Sequence, residues 1–377
     1  MQTQFSLFDL LVLIGITQGV VTAVLLLRNK ENKSSNRLLG LVLLGFCFLS
    51  TKILIWSLNL WNTSWIRFFP NGIELALAPL VYFYVKSLLD KLFRFGWKQW
   101  VHFIPFLISQ TYAFLVYFSV ISVRSIERKD AIADSLRFDQ VKNTEDYLAL
   151  LSLIIYIIVG FVELNAYRKW LKISVSDNTV PEYNWLRNIF LLSATLGVLL
   201  FVNLFFNNIA PDDPYRSLRL QVYFVFISFL IYYLGFMGYQ QRNVSSVLPI
   251  AREPQNEENE TSSNYDPLII DLLEKALTQD KVFLNPTLSI QELAKSLVVN
   301  QRELSNVING HFQKPFRDLI NSYRVEETKK KLLDSKFSHL SVLGIALEAG
   351  FNSEASFYRI FKKNTGLSPK EYMVENG

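Results

Sequence analysis

Two short sets of polar side chains near the C-terminus have the residue types that recognise other molecules through hydrogen bonds. The first set is Gln301, Arg302, Ser305 and Asn306, and the second is Glu354, Ala355, Ser356 and Arg359, followed by Lys362 and Lys363. Amide, hydroxyl and guanidinium groups can pair with the edges of nucleic-acid bases, and lysines can pair with phosphates. The chemistry predicted for both sets is therefore recognition, provided that each lies on the exposed face of a helix.

The sequence offers little for catalysis. None of the three histidines, His102, His311 and His339, has a second His, Cys or carboxylate at the spacing that places two metal ligands on one helix face. There is no Gly-rich phosphate-binding loop and no nucleophile-elbow pattern, and the single cysteine, Cys47, excludes an intramolecular disulfide. We therefore expect no catalytic site, no metal and no cofactor, and the protein is predicted not to be an enzyme.

A repeat in the sequence indicates how the two polar sets are positioned. Ser289, Leu293, Ala294 and Val299 correspond to residues 52 positions later, Ser341, Ile345, Ala346 and Phe351; after one inserted residue, Leu304 and Val307 correspond to Phe357 and Ile360. Each copy has a helix with a small residue, a short turn and a second helix, which is the pattern of a helix-turn-helix. The exposed early positions of such a second helix face the bases of the major groove, and both polar sets fall there.

The boundaries of helices in this region are marked by capping residues. Three Ser/Asn-x-x-Glu patterns predict capping boxes at helix starts: Ser289 with Glu292, Asn300 with Glu303, and Ser368 with Glu371. Gly310 and Gly366 follow apolar helical stretches and are predicted to end helices in the left-handed conformation. Between the two copies, 315–335 is predicted to form one long amphipathic helix that holds the units at a fixed separation.

Together these residues resemble the signature of the AraC-type transcription regulators. The matching positions are Ile345-Ala346, Gly350-Phe351, Phe357, Arg359, Phe361-Lys362-Lys363, Gly366, Pro369 and Tyr372. The resemblance covers about 266–373 and implies a seven-helix domain whose two helix-turn-helix units occupy successive major grooves of double-stranded DNA.

The sequence departs from that family at two places. Met373 stands where the family often has arginine, and 309–312 reads Asn-Gly-His-Phe in place of the more usual Phe-Lys-Lys stretch. We therefore expect fewer phosphate contacts from the first unit. Acidic residues nearly balance basic ones in the domain, so nonspecific affinity should be weak, which favours paired sites or a homodimer.

The chain before this region is strongly apolar. Of the 377 residues 50% are hydrophobic and 14% are aromatic, and the long apolar runs all lie before about residue 240. Seven segments have the length that a helix needs to cross a bilayer: 5–27, 38–58, 71–89, 99–121, 147–166, 184–206 and 217–239. We predict an all-α protein with a polytopic seven-helix transmembrane bundle at 1–239, a flexible acidic linker at 240–265 and the AraC-like domain at 266–377.

The distribution of Lys and Arg between connectors predicts the orientation of the bundle. Basic residues are frequent in the connectors 28–37, 90–98 and 167–183, and they are few or balanced by acids in the alternate ones. Because basic loops are retained on the cytoplasmic side, the N-terminus should lie outside and the C-terminal domain inside. The predicted location is the bacterial cytoplasmic membrane.

Three ionisable residues fall inside the predicted spans at similar depths, toward the outer leaflet: Asp9, Lys52 and Glu74. Charges inside hydrocarbon are costly and usually face a partner or a cavity. Two interpretations are open. The residues form a pocket for an external or lipid-phase signal, or Lys52 and Glu74 form a structural pair and the carboxylates are hydrated near the interface.

These observations lead to one hypothesis and one alternative. The hypothesis is a membrane-bound regulator that binds double-stranded DNA, with the lipid bilayer and an unidentified signal as its other partners. A signal would then pass by conformational change or dimerisation, since no phosphotransfer domain separates the two parts. The alternative is a seven-span receptor or transporter whose cytoplasmic helical domain binds a protein partner.

Overall fold

The computed structural model describes residues 5–29, 33–90, 93–174, 181–210, 212–240 and 266–377. Within these residues every regular element is a helix and no β-strand is formed, so the predicted all-α class is confirmed. The chain divides into two compact units, one made of Met1–Leu164 with Asn184–Ala251 and the other of Asn165–Tyr183 with Arg252–Gly377. The predicted linker at 240–265 lies outside the described residues except for Gln240, and the predicted domain boundaries stay predictions.

Nine α-helices are described between residues 5 and 240. They are α1 (Leu7–Arg28), α2 (Lys33–Ser57), α3 (Glu74–Leu89), α4 (Trp97–Trp100), α5 (Ile104–Val120), α6 (Ile126–Ser135), α7 (Phe138–Ser174), α8 (Pro181–Ile209) and α9 (Arg216–Gln240). Six helical segments of the described chain are long and apolar enough to cross a membrane: α1, most of α2, α4 to α5 as one stretch, most of α7, most of α8, and α9. Six of the seven predicted spans therefore have helices of membrane-crossing length.

The third predicted span differs from the expectation. It was predicted at 71–89, but α3 begins only at Glu74 and has 16 residues. At about 1.5 Å per residue such a helix is roughly 24 Å long, shorter than the hydrocarbon layer of about 30 Å. Most of its side chains are buried between other helices. A seventh full-length span is therefore not formed, and the crossing of the bilayer by α3 stays a prediction.

Close helix packing holds the first unit together. Helix α1 packs against α2 and α9, and α2 packs against α3. At Gly19 a Cβ atom would lie 2.5 Å from Cys47 Sγ and 2.6 Å from Ile231 Cγ2, so only glycine permits the observed approach of the three helices. Small residues at helix interfaces are the usual means of close packing in membrane bundles, where water provides no drive between helices.

Large apolar side chains remain exposed on the outer helices of this unit. On α5, Ile108 is 66% exposed and Leu115 is 63% exposed, and on α7, Ile158 is 59% exposed and Val162 is 65% exposed. Apolar surfaces of this extent are rare on proteins surrounded by water. The exposed faces of α5 and α7 are therefore suited to a lipid environment.

Residues 266–377 form seven α-helices, as the AraC-type resemblance implies. They are α10 (Pro267–Thr278), α11 (Ile290–Leu297), α12 (Gln301–His311), α13 (Phe316–Leu333), α14 (Val342–Glu348), α15 (Glu354–Thr365) and α16 (Pro369–Asn376). The predicted capping boxes at Ser289 and Ser368 are present. The third was wrong in detail, because in this described region the Asn300 side chain accepts the backbone N–H of Arg302 instead of forming a reciprocal box.

Two hydrophobic cores lie along α13, one for each repeat. The first contains Leu293 of α11, Leu304 of α12 and Phe316 of α13, and the second contains Ile345 of α14, Phe357 of α15 and Val325 of α13. The first half of α13 thus completes one core and the second half completes the other. Because an α-helix is rigid over this length, α13 fixes the spacing of the two helix-turn-helix units, as predicted for 315–335.

The turns of the two units have the same backbone hydrogen bond. The backbone N–H of Val299 donates to the carbonyl of Ala294 and that of Phe351 donates to Ala346, each over 3.0 Å. This six-residue closure requires a left-handed residue just before the donor. Val298, with φ 57°, fills that position in the first unit, and Gly350, with φ 93°, fills it in the second.

Of the glycines predicted to end helices, Gly366 has the left-handed conformation, with φ 80°. The prediction for Gly310 was wrong, because α12 continues to His311 and the left-handed residue is Gln313. The insertion of one residue between the copies therefore does not disturb the end of α15.

Opposite substitutions at the two turn positions should change stability in opposite directions. Val298 is 91% exposed, so Val298→Gly should remove left-handed strain and raise the free energy of unfolding by about 0.5–1 kcal/mol. At Gly350 a Cβ would lie 2.5 Å from the carbonyl oxygen of Phe283, so Gly350→Ala should lower it by roughly 2–4 kcal/mol. Urea unfolding of the 266–377 fragment measures both changes. Equal effects of the two substitutions would contradict the assigned equivalence.

Candidate functional site

The first recognition surface lies on α12. Arg302, Asn306 and Asn309 are exposed and lie on one face of the helix, four and three residues apart. Gln301 and Ser305 lie beside this face and are half-buried. Leu304 and Val307 are buried against α11 and α13, so the face carrying Arg302 and Asn306 has to point outward.

The second recognition surface lies on α15, at the corresponding positions. Ala355, Arg359 and Lys362 are exposed and occupy the places that Arg302, Asn306 and Asn309 occupy in α12, 53 residues earlier. Glu354 and Lys363 are exposed as well. Asn309 was missed as a candidate from the sequence, although its alignment with Lys362 was the signal that could have identified it.

One predicted contact residue is placed differently. Ser356 is only 6% exposed, and its backbone N–H donates to the hydroxyl of Ser353, which caps the start of α15. The prediction that the Ser356 side chain is exposed was wrong, because this position belongs to the first turn on the side that packs inward. Ser356 therefore contributes to packing of α15.

A buried arginine of α13 fixes the segment that precedes α11. Arg324 is 1% exposed, and its guanidinium donates to the carbonyl oxygens of Phe283, over 2.8 Å, and of Asn285, over 2.7 Å. A Cβ on Gly350 would lie 3.0 Å from Arg324 Nε, so the turn of the second unit sits on the same group. Arg324 thus joins the two halves of the domain, a role that the sequence analysis did not predict.

The last helix supports the second recognition helix from behind. The backbone N–H of Ser368 donates to the Glu371 carboxylate over 2.7 Å and, together with the Ser368 side chain, holds the pKa of Glu371 below its usual value. This cap is therefore complete at neutral pH and is lost as the pH falls through the lowered pKa. Tyr372, one residue later, packs edge-to-face on the buried Phe361 of α15, with ring centroids 5.6 Å apart.

Charge around the recognition helices is only partly neutralised by neighbours. Lys363 Nζ lies 3.7 Å from a carboxylate oxygen of Asp318, with both side chains largely exposed. Such an exposed pair is weak and would leave Lys363 able to exchange its partner for a phosphate. Behind the domain surface, a hydrogen bond from Lys329 to Glu326 raises the pKa of Lys329.

The three residues predicted as a possible signal site are brought together only in part. Lys52 of α2 and Glu74 of α3 form an ion pair. Asp9 instead accepts hydrogen bonds from Ser57 and from the hydroxyl and backbone N–H of Ser6, where it caps α1. The structural interpretation of the Lys52–Glu74 contact is therefore supported, and a three-residue cluster that includes Asp9 is not formed.

The charged cluster extends instead to the start of α7. Lys142 and Glu145 form an ion pair over 2.6 Å, and Asp146 interacts electrostatically with Glu74 and Lys52. The sequence analysis placed these three residues in an outer connector and did not link them to Glu74. Among the described residues, no group of His, Cys, Asp and Glu side chains is arranged to hold a metal ion.

Comparison with known proteins supports the nature of the C-terminal part alone. Residues 293–374 match a family model described as a helix-turn-helix domain. Uncharacterized HTH-type transcriptional regulators of Staphylococcus aureus are 30% identical over 110 residues, 29% of this chain and 14% of theirs. The melibiose operon regulatory protein of Escherichia coli is 31% identical over 85 residues, 22% of this chain and 27% of its own.

The C-terminal part carries an AraC-type helix-turn-helix domain. The chain spans 14% of the length of the staphylococcal relatives, so the shared region is this domain and little else. A solved structure of a protein of unknown function from Listeria innocua is 29% identical, covering 29% of this chain and 99% of that one with a TM-score of 0.26.

A double-mutant cycle tests the ion pair between α2 and α3. Lys52→Met and Glu74→Gln should each destabilise the bundle, and their combination should recover a coupling of roughly 1–3 kcal/mol, because each single change leaves a buried charge without its partner. Reversible unfolding in mixed micelles provides the measurement. Asp9→Asn serves as the control, since Asp9 bonds to Ser6 and Ser57 and should be additive with Lys52→Met. Simple additivity of Lys52→Met and Glu74→Gln would refute the pair.

Proposed function

We propose that the protein is a membrane-anchored transcription regulator that binds double-stranded DNA through both units of its AraC-type domain. The single observation that carries this proposal is the pair of equivalent exposed faces on α12 and α15, held at a fixed separation by α13. Two recognition helices on one rigid support match the geometry needed to enter successive major grooves. The relatives named as transcriptional regulators share this domain with the chain.

The exposed positions divide into base-reading and phosphate-binding roles. Arg302, Asn306 and Arg359 have side chains that form paired hydrogen bonds with guanine or adenine in the major groove. Lys362 and Lys363 lie at the end of α15, where lysines neutralise phosphates without reading sequence. Gln301, Ser305, Glu354 and Ala355 flank these residues and complete the contact set, and Ser356 is left out because it is buried.

The first unit serves as the membrane anchor and the sensor in this proposal. Six helices of suitable length and the exposed apolar faces of α5 and α7 support placement in a bilayer. The distribution of basic connectors supports an outside N-terminus and a cytoplasmic AraC-type domain. A signal would act by binding one state of the bundle more tightly than another, which in turn would alter DNA binding or pairing of two chains.

Two substitutions on α15 separate base reading from phosphate binding. Arg359→Ala should weaken binding to the cognate site by about 1–3 kcal/mol and relax the sequence preference at one base pair. Lys362→Ala should weaken binding about equally to all sequences and lower the slope of log affinity against log salt by about one. Selection of sites from a genomic library, followed by fluorescence anisotropy on cognate and scrambled duplexes, measures both.

Lys281→Ala provides the control for loss of a positive charge elsewhere in the domain. Lys281 pairs with both carboxylate oxygens of Glu327 on α13 and has no counterpart in the recognition helices. Its substitution should leave the sequence preference unchanged. If the 266–377 fragment selects no duplex and shows no salt-dependent affinity, the cytoplasmic domain binds something other than DNA and the proposal fails.

Labelling of introduced cysteines tests the orientation. Ser338 is exposed in the AraC-type domain and Arg128 is exposed on α6, in the connector predicted to lie outside. In a Cys47→Ala background, a membrane-impermeant maleimide should label Arg128→Cys in intact cells and Ser338→Cys only after lysis. Labelling of Ser338→Cys in intact cells would place the domain outside and contradict regulation of DNA.

A further inference from the structure

A cavity lies between five helices of the first unit. Its walls are mostly apolar, with Leu77 from α3, Leu153 from α7 and Leu196 from α8 among them, and it has one charged lining residue, Glu74. Tyr223 of α9 lines the same space. The cavity is therefore amphipathic, with an apolar body and a carboxylate at one end.

Tyr223 is the first indication that the cavity accepts a ligand. The residue is only 8% exposed, yet in the described chain its hydroxyl has no hydrogen-bond partner. It lies within electrostatic range of the Glu74 and Asp146 carboxylates. A buried hydroxyl without a partner is costly, and a bound polar group in the cavity would satisfy it.

The charge balance at this end of the cavity indicates what that polar group is. Lys52 pairs with Glu74 and Lys142 pairs with Glu145, which leaves Asp146 as a carboxylate without an ion pair among the described residues. Two lysines thus face three carboxylates, and one negative charge remains in excess. Because an uncompensated charge is unfavourable at a partly buried site, a cation would be bound here more readily than an anion.

We propose that this cavity is a binding site for an amphipathic amine, with its ammonium group beside Asp146, Glu74 and the hydroxyl of Tyr223. The hydrocarbon part lies between Leu77, Leu153 and Leu196, where it replaces empty space with apolar contacts. This inference deepens the sensing part of the proposed function by naming the chemical class of its ligand. It does not depend on which DNA sequence the AraC-type domain binds.

Binding of short-chain probes to the full-length protein tests the site. Radiolabelled octylamine is equilibrated with the protein in phosphatidylcholine nanodiscs, and empty nanodiscs give the background of partition into lipid. Octylamine should bind saturably at one site per chain, with octanol and octanoate as poor competitors. Because binding is measured without DNA, a negative result here leaves DNA binding untouched, and loss of DNA binding leaves this result untouched.

Substitutions then assign the headgroup contact. Asp146→Asn should lower the affinity for octylamine by about tenfold or more, and Tyr223→Phe should lower it by about three- to tenfold. Asp139→Asn is the matched control, because Asp139 is an exposed carboxylate two turns earlier on α7 and should bind octylamine as the unaltered protein does. Equal binding by Asp146→Asn, or equal competition by octanol, would overturn the assignment of a charged headgroup.

A substitution in the apolar part keeps the test decisive if Asp146→Asn does not fold. Leu153→Phe adds volume to the cavity wall without touching the charged cluster and should abolish saturable octylamine binding. Thermal unfolding in the same nanodiscs reports whether each variant is folded. Retention of octylamine binding by folded Leu153→Phe would show that the amine binds elsewhere and would refute the proposed site.

Discussion

The AraC-type domain depends on one joint in which three parts of the chain meet without room for another atom. Arg324, in the middle of α13, donates to the carbonyls of Phe283 and Asn285, and the turn at Gly350 lies against the same carbonyl and guanidinium. A buried guanidinium is stable only when its donors are satisfied, so the backbone around residue 283 is held in place. The positions of α12 and α15 relative to each other follow from this joint and from the continuity of α13.

The sequence was sufficient to predict the repeat, because buried positions such as Leu304 and Phe357 recur at a constant spacing and apolar periodicity is a local signal. It was not sufficient for Ser356 or Arg324. Exposure of a residue in the first turn of a helix depends on the angle at which that helix enters the core. The burial of an arginine depends on a loop about 40 residues away, which no local pattern reports.

In the membrane unit, prediction succeeded for the six helices whose apolar runs are long and failed in length for α3. Segment 71–89 is apolar throughout, but α3 starts only at Glu74, whose carboxylate accepts the backbone N–H of Ile73 and pairs with Lys52. The pairing of Lys52 with Glu74 could be anticipated from their shared depth. The approach of Lys142, Glu145 and Asp146 could not, because the connector before α7 is itself helical and brings them back to the bundle.

Helix α7 has 37 residues, which at about 1.5 Å per residue makes it roughly 55 Å long. The oily layer of a bilayer accounts for only about 30 Å of that length. The remainder must stand in water as a stiff rod, so a small tilt near Asp146 would be delivered undiminished to its far end. An unbroken lever of this kind needs no chemical messenger to carry a change in shape from one face of a membrane to the other.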